Sequence, residues 1–205
     1  MRVIIFLNGT PLRKEELDKI DFLDAVILCA DGAYSYLKGK IVPSVVLGDF
    51  DSCPISSVEK GIETLVFPPE KDFTDGHLAV KLAVEKGAKT IEIYGAFGGR
   101  PDHFYSNLSL LLLAKNLGTK ASLVGEGFTV TLEEGLIEKS VKIGATVSLV
   151  PFNCDAHIIF TEGLKYPMRE VTLNREHILG ISNEAQNDKI KVECKGELLV
   201  FIQNE

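Results

Sequence analysis

The sequence predicts an α/β protein. Residues 1–122 form an N-terminal unit with a mostly parallel sheet, and residues 123–205 follow as a C-terminal antiparallel β-sandwich or barrel-like unit. Three observations lead there. In the first part, solid apolar runs alternate with helix-compatible segments, which is the mark of strands buried on both faces and joined by right-handed βαβ crossovers. After about Gly125 no long helical period recurs, and short β-type segments separated by glycines and polar turns take over. The composition, 45% hydrophobic and 25% charged over 205 residues, is that of a globular chain long enough to bury a core. No Pro- or Ser-rich linker, internal repeat or low-complexity stretch interrupts it.

Val3–Leu7 is the first apolar run and stops at Asn8-Gly9. Lys14–Ile20 suits a short helix. Ala25–Ala30 is a second strand, ending at Asp31-Gly32, where a helix over Ala33–Leu37 can begin. Val45–Leu47 and Thr64–Phe67 are the third and fourth strands. A Pro-Pro-Glu-Lys-Asp-Phe loop then leads to Thr74, a suitable N-cap, with Asp75 in the first turn, where negative charge is favoured. That helix runs to about Lys86 and stops at Gly87. Strand Thr90–Tyr94, a helix over Phe104–Asn116 and strand Ala121–Val124 complete the first unit. In the second unit the β-type segments are Phe128–Leu132, Leu136–Glu138, Ala145–Val150, His157–Thr161, Lys189–Cys194 and Glu197–Ile202.

The formal charge of −7 argues against a nucleic-acid partner, whose protein surfaces are usually basic. It leaves a nucleotide open, since a metal ion can mediate between carboxylates and phosphates. The cysteines Cys29, Cys53, Cys154 and Cys194 form no metal-ligand or disulfide spacing, which fits reduced thiols in a cytoplasmic protein. The opening residues are too short for a signal-peptide core, and no run approaches the roughly 18–20 apolar residues of a membrane span. A cytoplasmic protein with no membrane partner is expected.

The chemistry concentrates where strands end. Val45-Val46-Leu47-Gly48-Asp49-Phe50-Asp51-Ser52 is a buried strand stopping at a glycine and two carboxylates. In extended chain residues two apart point to one side, about 6.5–7 Å apart, so Asp49 and Asp51 can converge on one cation. Asp31, Asp72, Asp75 and Asp102 follow other strands, at the sheet edge where open α/β proteins bind ligands. So many like charges in one cleft require cations. Lys71 and Arg100 supply two, and a divalent ion, Mg²⁺ held by carboxylates and substrate phosphates, is the natural remainder. Taken singly, each residue has a plainer reading. Asp31 and Asp102 suit helix caps, Lys71 a solvated surface, His103 a structural helix-start histidine, and Gly95-Ala96-Phe97-Gly98-Gly99 a strand-to-helix turn. Neither a P-loop nor a G-x-G-x-x-G fingerprint is present.

Taken together, four stretches resemble the thiamine pyrophosphokinase family in order and approximate spacing. They are Ala30-Asp31-Gly32-Ala33, Leu47-Gly48-Asp49-Phe50-Asp51-Ser52, Lys71-Asp72-Phe73-Thr74-Asp75 and Gly98-Gly99-Arg100-Pro101-Asp102-His103. The second unit adds Ser148-Leu149-Val150-Pro151, Glu162-Gly163-Leu164-Lys165-Tyr166-Pro167 and Gly180-Ile181-Ser182-Asn183. The resemblance covers essentially the whole chain. It implies a homodimer, with the site between the α/β unit of one subunit and the β unit of the other. It also implies transfer of the pyrophosphoryl group of ATP to the hydroxyethyl oxygen of thiamine. Asp49, Asp51, Asp72 and Asp102 then stand as candidates for Mg²⁺ and for orienting the attacking hydroxyl. Lys71 and Arg100 stand as phosphate grips, Asp31 and Asp75 as supporting contacts, His103 beside the nucleotide, and Ser182 and Asn183 at the thiamine pyrimidine. Two departures stand out. Gly76-His77 follows Asp75 where the family more often has a small polar residue and an acid. The chain also lacks tryptophan, leaving Tyr166 or Phe152 as the aromatic surface. Three competing readings remain open at this level: a pyrophosphokinase acting on a pterin alcohol, a sugar-nucleotide transferase using Asp-x-Asp, and a non-catalytic thiamine or nucleotide sensor.

Overall fold

The computed structural model describes residues 1–70, 72–177 and 179–203, and the chain divides into two compact units, Met1–Glu126 and Gly127–Glu205. Among the described residues no helix is long and apolar enough to cross a membrane.

In the first unit, strands β1 (Arg2–Phe6), β2 (Ala25–Ala30), β3 (Val45–Gly48), β4 (Glu63–Val66), β5 (Thr90–Tyr94) and β6 (Lys120–Gly125) pair in parallel in the order β6-β5-β1-β2-β3-β4. The chain steps outward from β1 to β4, then returns past β1 to lay down β5 and β6. The order reverses beside β1, and α/β proteins open their ligand crevice at such a reversal, at the carboxyl ends of the strands. β1 is the central strand, and Val3 to Phe6 are buried without exception. Phe6 stacks on Tyr94 at 5.6 Å between ring centroids and meets Phe22 at 6.4 Å, so one ring joins two strands to the loop before β2.

The helices are α1 (Lys14–Leu17), α2 (Asp31–Leu37), α3 (Asp75–Glu85) and α4 (Pro101–Asn116). α1 is shorter than the Lys14–Ile20 helix expected, because Leu17 alone in it reaches the core. α2 begins at Asp31 and α4 at Pro101, earlier than expected. Asp31 and Asp102 therefore lie inside first turns and cap neither helix; Ala30 and Arg100 hold the N-cap positions. Proline at the first helical position of α4 explains its early start, since its missing N–H would be unpaired there anyway. Thr74 caps α3 as expected, accepting a hydrogen bond from the His77 N–H at 3.2 Å.

In the second unit, β7 (Phe128–Ser140), β8 (Thr146–Pro151), β9 (Ala156–Glu162), β10 (Arg169–Leu173), β11 (Asn183–Glu184) and β12 (Lys189–Gln203) are antiparallel throughout their pairings. The two short segments expected on either side of Gly135 are one strand, and so are the two around Gly196. Both glycines have positive φ, 72° and 100°, so the chain bends within a strand where a break was expected. The register shift between Cys194 and Leu198 lets β12 pair with β9 through its first half and with β8 through its second. One bent strand thereby encloses the second core, with Val147, Leu149, Ile158, Val192, Leu198 and Val200 at its centre. β10 and the two-residue β11 were not foreseen; Arg-Glu-Val-Thr-Leu and Asn-Glu carry too little apolar alternation to announce a strand.

Phe6→Ala should destabilise the first unit by about 3–5 kcal/mol, the cost of emptying a large aromatic site in a packed core. A denaturant titration measures it, and a loss below about 1 kcal/mol would contradict the central place given to this ring.

Candidate active site

A cavity of about 550 Å³ opens at the carboxyl ends of the parallel strands. Its lining comes from Asn8 and Gly9 after β1, Asp31 after β2, Asp49, Asp51 and Ser52 after β3, Thr74 to Gly76 before α3, and Gly98 to Arg100 after β5. His103, Ser106 and Asn107 add one face of α4.

The loops are held by the backbone. Gly9 N–H donates to the Gly95 carbonyl at 2.8 Å, and Thr10 N–H to that of Phe97 at 2.8 Å. A Cβ at Gly9 would lie 2.3 Å from the Gly95 oxygen, so only glycine permits this approach. The Asn107 side-chain amide donates to the Ala96 carbonyl at 2.8 Å and ties α4 to the turn after β5.

Asp31, Asp49 and Asp51 each bring a carboxylate oxygen within 4.8 Å of the others. Asp31 is 3% exposed; its Oδ1 accepts the Gly32 N–H at 2.6 Å, while its Oδ2 is buried with no hydrogen-bond partner among the described residues. Room for this carboxylate comes from Gly48, where a Cβ would stand 2.7 Å from the Asp31 Cγ. Burial raises the Asp31 pKa above the ordinary carboxylate range. The Gly32 N–H opposes the shift, and the negative charges of Asp75, Asp49 and Asp51 add to it. A buried carboxylate gathered with two others, with oxygen donors only, is the chemistry of a hard divalent cation site, and the donor set fits Mg²⁺.

The convergence of Asp49 and Asp51 does not come from an extended chain, as the spacing suggested. β3 ends at Gly48, and Phe50 between the two carboxylates has φ of 61°, a left-handed conformation uncommon for a residue with a side chain. The Phe50 ring packs against the core of the first unit, and Asp51 N–H donates to Asp49 Oδ1 at 3.3 Å. A hydrophobic anchor beneath the turn holds a conformation that costs of order 1–3 kcal/mol.

The other expected residues are distributed as follows. Asp75, half-buried, and His103 line the cavity. Asp72 is exposed and outside the lining, and Lys71 lies outside the described residues. Asp102 is exposed and stands apart from the three clustered carboxylates. It accepts Arg100 Nε at 3.1 Å and Nη2 at 2.6 Å, a two-point pair that keeps its carboxyl below the ordinary range. In the second unit Ser182 is exposed, with φ of 57°, and its N–H donates to Ser148 Oγ at 3.0 Å. Asn183 is buried and turned inward. Its Oδ1 accepts the Tyr166 and Glu184 N–H groups at 3.0 and 2.9 Å, and its Nδ2 donates to the Tyr166 carbonyl at 2.8 Å. The Asn183 side chain shapes the 163–166 turn and offers its amide to the protein itself. Sequence reasoning passed over Asn8, Ser52, Ser106 and Asn107. Asn8 was signalled by its place directly after a strand, and Ser106 and Asn107 by their helical spacing from His103.

A parallel α/β unit with carboxylates and tight glycine turns at its strand ends has the chemistry to hold nucleotide phosphates through a metal ion. The sequence profile described as "Thiamin pyrophosphokinase, catalytic domain" matches residues 22–123, and that described as "Thiamin pyrophosphokinase, vitamin B1 binding domain" matches residues 134–199. A thiamine pyrophosphokinase of Bacillus subtilis is 32% identical over 180 residues, covering 84% of each chain. One from Caenorhabditis elegans is 27% identical over 226 residues, covering 99% of this chain and 89% of that one. The crystal structure of thiamine pyrophosphokinase from Bacillus subtilis superposes with a TM-score of 0.88 and 25% identity, covering all of both chains. The chain belongs to the thiamine pyrophosphokinase family.

Because the folded state raises the Asp31 pKa, its contribution to stability is fully present below the unfolded value and lost as pH rises through the folded one. Asp31→Asn should therefore raise the Tm of metal-free protein at neutral pH, with the gain shrinking toward acid. Melting curves across pH check this; a lower Tm at neutral pH for the variant would refute it.

Proposed function

We infer that the chain transfers the pyrophosphoryl group of ATP to the hydroxyethyl oxygen of thiamine, yielding thiamine diphosphate and AMP. It is an ATP-dependent diphosphotransferase of its family, with ATP and thiamine as small-molecule partners. The observation that carries the site assignment is the gathering of Asp31, whose buried Oδ2 has no hydrogen-bond partner among the described residues, with Asp49 and Asp51.

On this reading Asp31, Asp49 and Asp51 would hold Mg²⁺. When bound, the ion neutralises phosphate charge and polarises a phosphoryl oxygen. Arg100 grips the phosphate chain by exchanging its exposed pair with Asp102 for phosphate oxygens, and Lys71 assists. An exposed pair of this kind is screened by solvent and worth little, so the exchange is easy. Gly98 and Gly99, with φ of 74° and 66°, leave backbone amides open to phosphate. The thiamine hydroxyl attacks the β-phosphorus, the bond to the α-phosphate oxygen breaks, AMP leaves, and a cavity carboxylate takes the hydroxyl proton. Asp72 and Asp102 serve as outer acidic contacts, Asp75 and His103 as polar wall. The acidic cavity also attracts the thiazolium cation.

In the second unit Tyr166 is 62% exposed on the turn that Asn183 pins, whereas Phe152 is buried at 9%. These exposures favour Tyr166 as the aromatic surface for the pyrimidine, with Ser182 nearby in the same unit. A homodimer is part of the same proposal, and sedimentation tests it. Free thiols at Cys29, Cys53, Cys154 and Cys194 support a reducing, cytoplasmic setting.

Purified protein with ATP, Mg²⁺ and thiamine should give AMP and thiamine diphosphate in equal amounts. ADP as product would exclude two-phosphate transfer. AMP made only with a pterin alcohol would move the acceptor, and thiamine binding without turnover would mark a sensor. Asp49→Asn should lower kcat by on the order of 100-fold or more, at least what outer partners of a metal site contribute. Arg100→Ala should raise the KM for ATP roughly 10- to 100-fold, the worth of a charged hydrogen bond. Normal kinetics would remove either residue from the site. Tyr166→Ala should raise the KM for thiamine roughly tenfold with the KM for ATP unchanged, from lost stacking; an unchanged thiamine KM would dismiss the platform.

A further inference from the structure

The entrance to α3 carries an aromatic pair that the metal and phosphate chemistry leaves unused. Phe73, the residue before the N-cap, lays its ring on the His77 imidazole with centroids 4.4 Å apart and planes 19° from parallel. Lys81, one turn further along the helix, holds its Nζ 5.6 Å from the Phe73 ring centroid. His77 is thus joined to the incoming chain twice, by its ring to Phe73 and by its backbone N–H to Thr74 Oγ1. Burial, with a smaller effect from Lys81, holds the His77 pKa below the usual imidazole value, so the ring stacks uncharged at neutral pH.

Phe73 remains 46% exposed despite this contact. A ring half in water adds little to a core, so the stack acts on position more than on burial. Thr74, Asp75 and Gly76, the three residues spanned by the pair, are all walls of the acidic cavity. Gly76 is itself buried, and a Cβ there would lie 3.0 Å from Leu110 Cδ1, so α3 is seated tightly on that side. The chain entering α3 is therefore fixed from two directions, by close packing inside and by the aromatic stack outside.

We propose that His77 is a positioning residue: its stack on Phe73 sets the turn that carries Thr74 and Asp75 into the cavity, and thereby sets the affinity of that cavity for Mg·ATP. This rests on the reading of the cavity as the nucleotide site. His77 touches no reacting atom and acts through the turn it braces.

The test uses the full chain as wild type, His77→Ala, His77→Phe and Phe73→Leu, the last altering the stack without altering the helix. Amide exchange of residues 73–77 is followed without ligand, Mg·ATP affinity by calorimetry, and kcat and KM by AMP release. His77→Ala and Phe73→Leu should speed amide exchange in this segment. Both should weaken Mg·ATP binding roughly three- to tenfold, the scale of one aromatic pair, with KM for ATP rising in step and kcat within about twofold. His77→Phe, which keeps a flat ring, should restore all three. Unchanged exchange in both disrupting variants would overturn the clamp. Faster exchange with unchanged Mg·ATP affinity, or His77→Phe behaving as His77→Ala, would overturn the positioning role. Absence of Mg·ATP binding by the wild type is a different result: it removes the nucleotide reading of the cavity, and this inference with it.

Discussion

The Asp31 carboxylate, enclosed at the end of β2 with one oxygen satisfied by Gly32 and gathered with two further carboxylates, is the constraint on which the site turns. Such a group is unfavourable where it stands: burial opposes its charge, and its neighbours repel it. The fold nevertheless makes room for it, since Gly48 on the adjacent strand has no Cβ to exclude it. The register of β2 against β3, Ala30 opposite Leu47, brings the two strand ends level, so that Asp31 and Asp49 emerge side by side. On the proposed reading, repulsion among the three is what a bound cation would relieve.

The rest of the first unit holds that arrangement still. β1, wholly buried at its core, passes its end to Asn8 and Gly9. The Gly9 amide pairs with the turn after β5, and the Tyr36 hydroxyl donates to the Leu7 carbonyl at 3.1 Å. These bonds close the crevice at the place where the strand order reverses. Phe50 adds a local device. Its ring is rooted in the core while its backbone takes a left-handed turn, so the geometry of Asp49 and Asp51 is borrowed from packing beneath them. The second unit uses polar contacts to the same end, with the Asn183 amide holding both the N–H and the carbonyl of Tyr166 and leaving the ring outside.

Much of this was legible from residue order. The parallel strands were visible because strands buried on both faces need unbroken apolar runs, and the residues immediately after them were therefore candidates for one sheet edge. Asp31, Asp49, Asp51, Asp75, Arg100 and His103 do line one cavity. What residue order misjudged were angles and lengths. Gly135 and Gly196 read as turns, yet each sits inside a long strand that bends, because a glycine's freedom serves a bulge as readily as a reversal. Asp102 read as a cap; the early start of α4 at Pro101 moves it into the first turn, within reach of Arg100.

By itself, then, the sequence determined the class of fold, the edge at which chemistry collects, and the residue types gathered there, since these depend on local apolar pattern and on what each strand runs into. Tertiary structure alone decided which carboxylates meet. Asp31 enters the cluster through strand register and the missing Cβ of Gly48, and Asp51 through a left-handed Phe50, whereas Asp72 and Asp102 stay outside it. Proximity of this kind is set by contacts between segments far apart in the chain, and no local pattern encodes them.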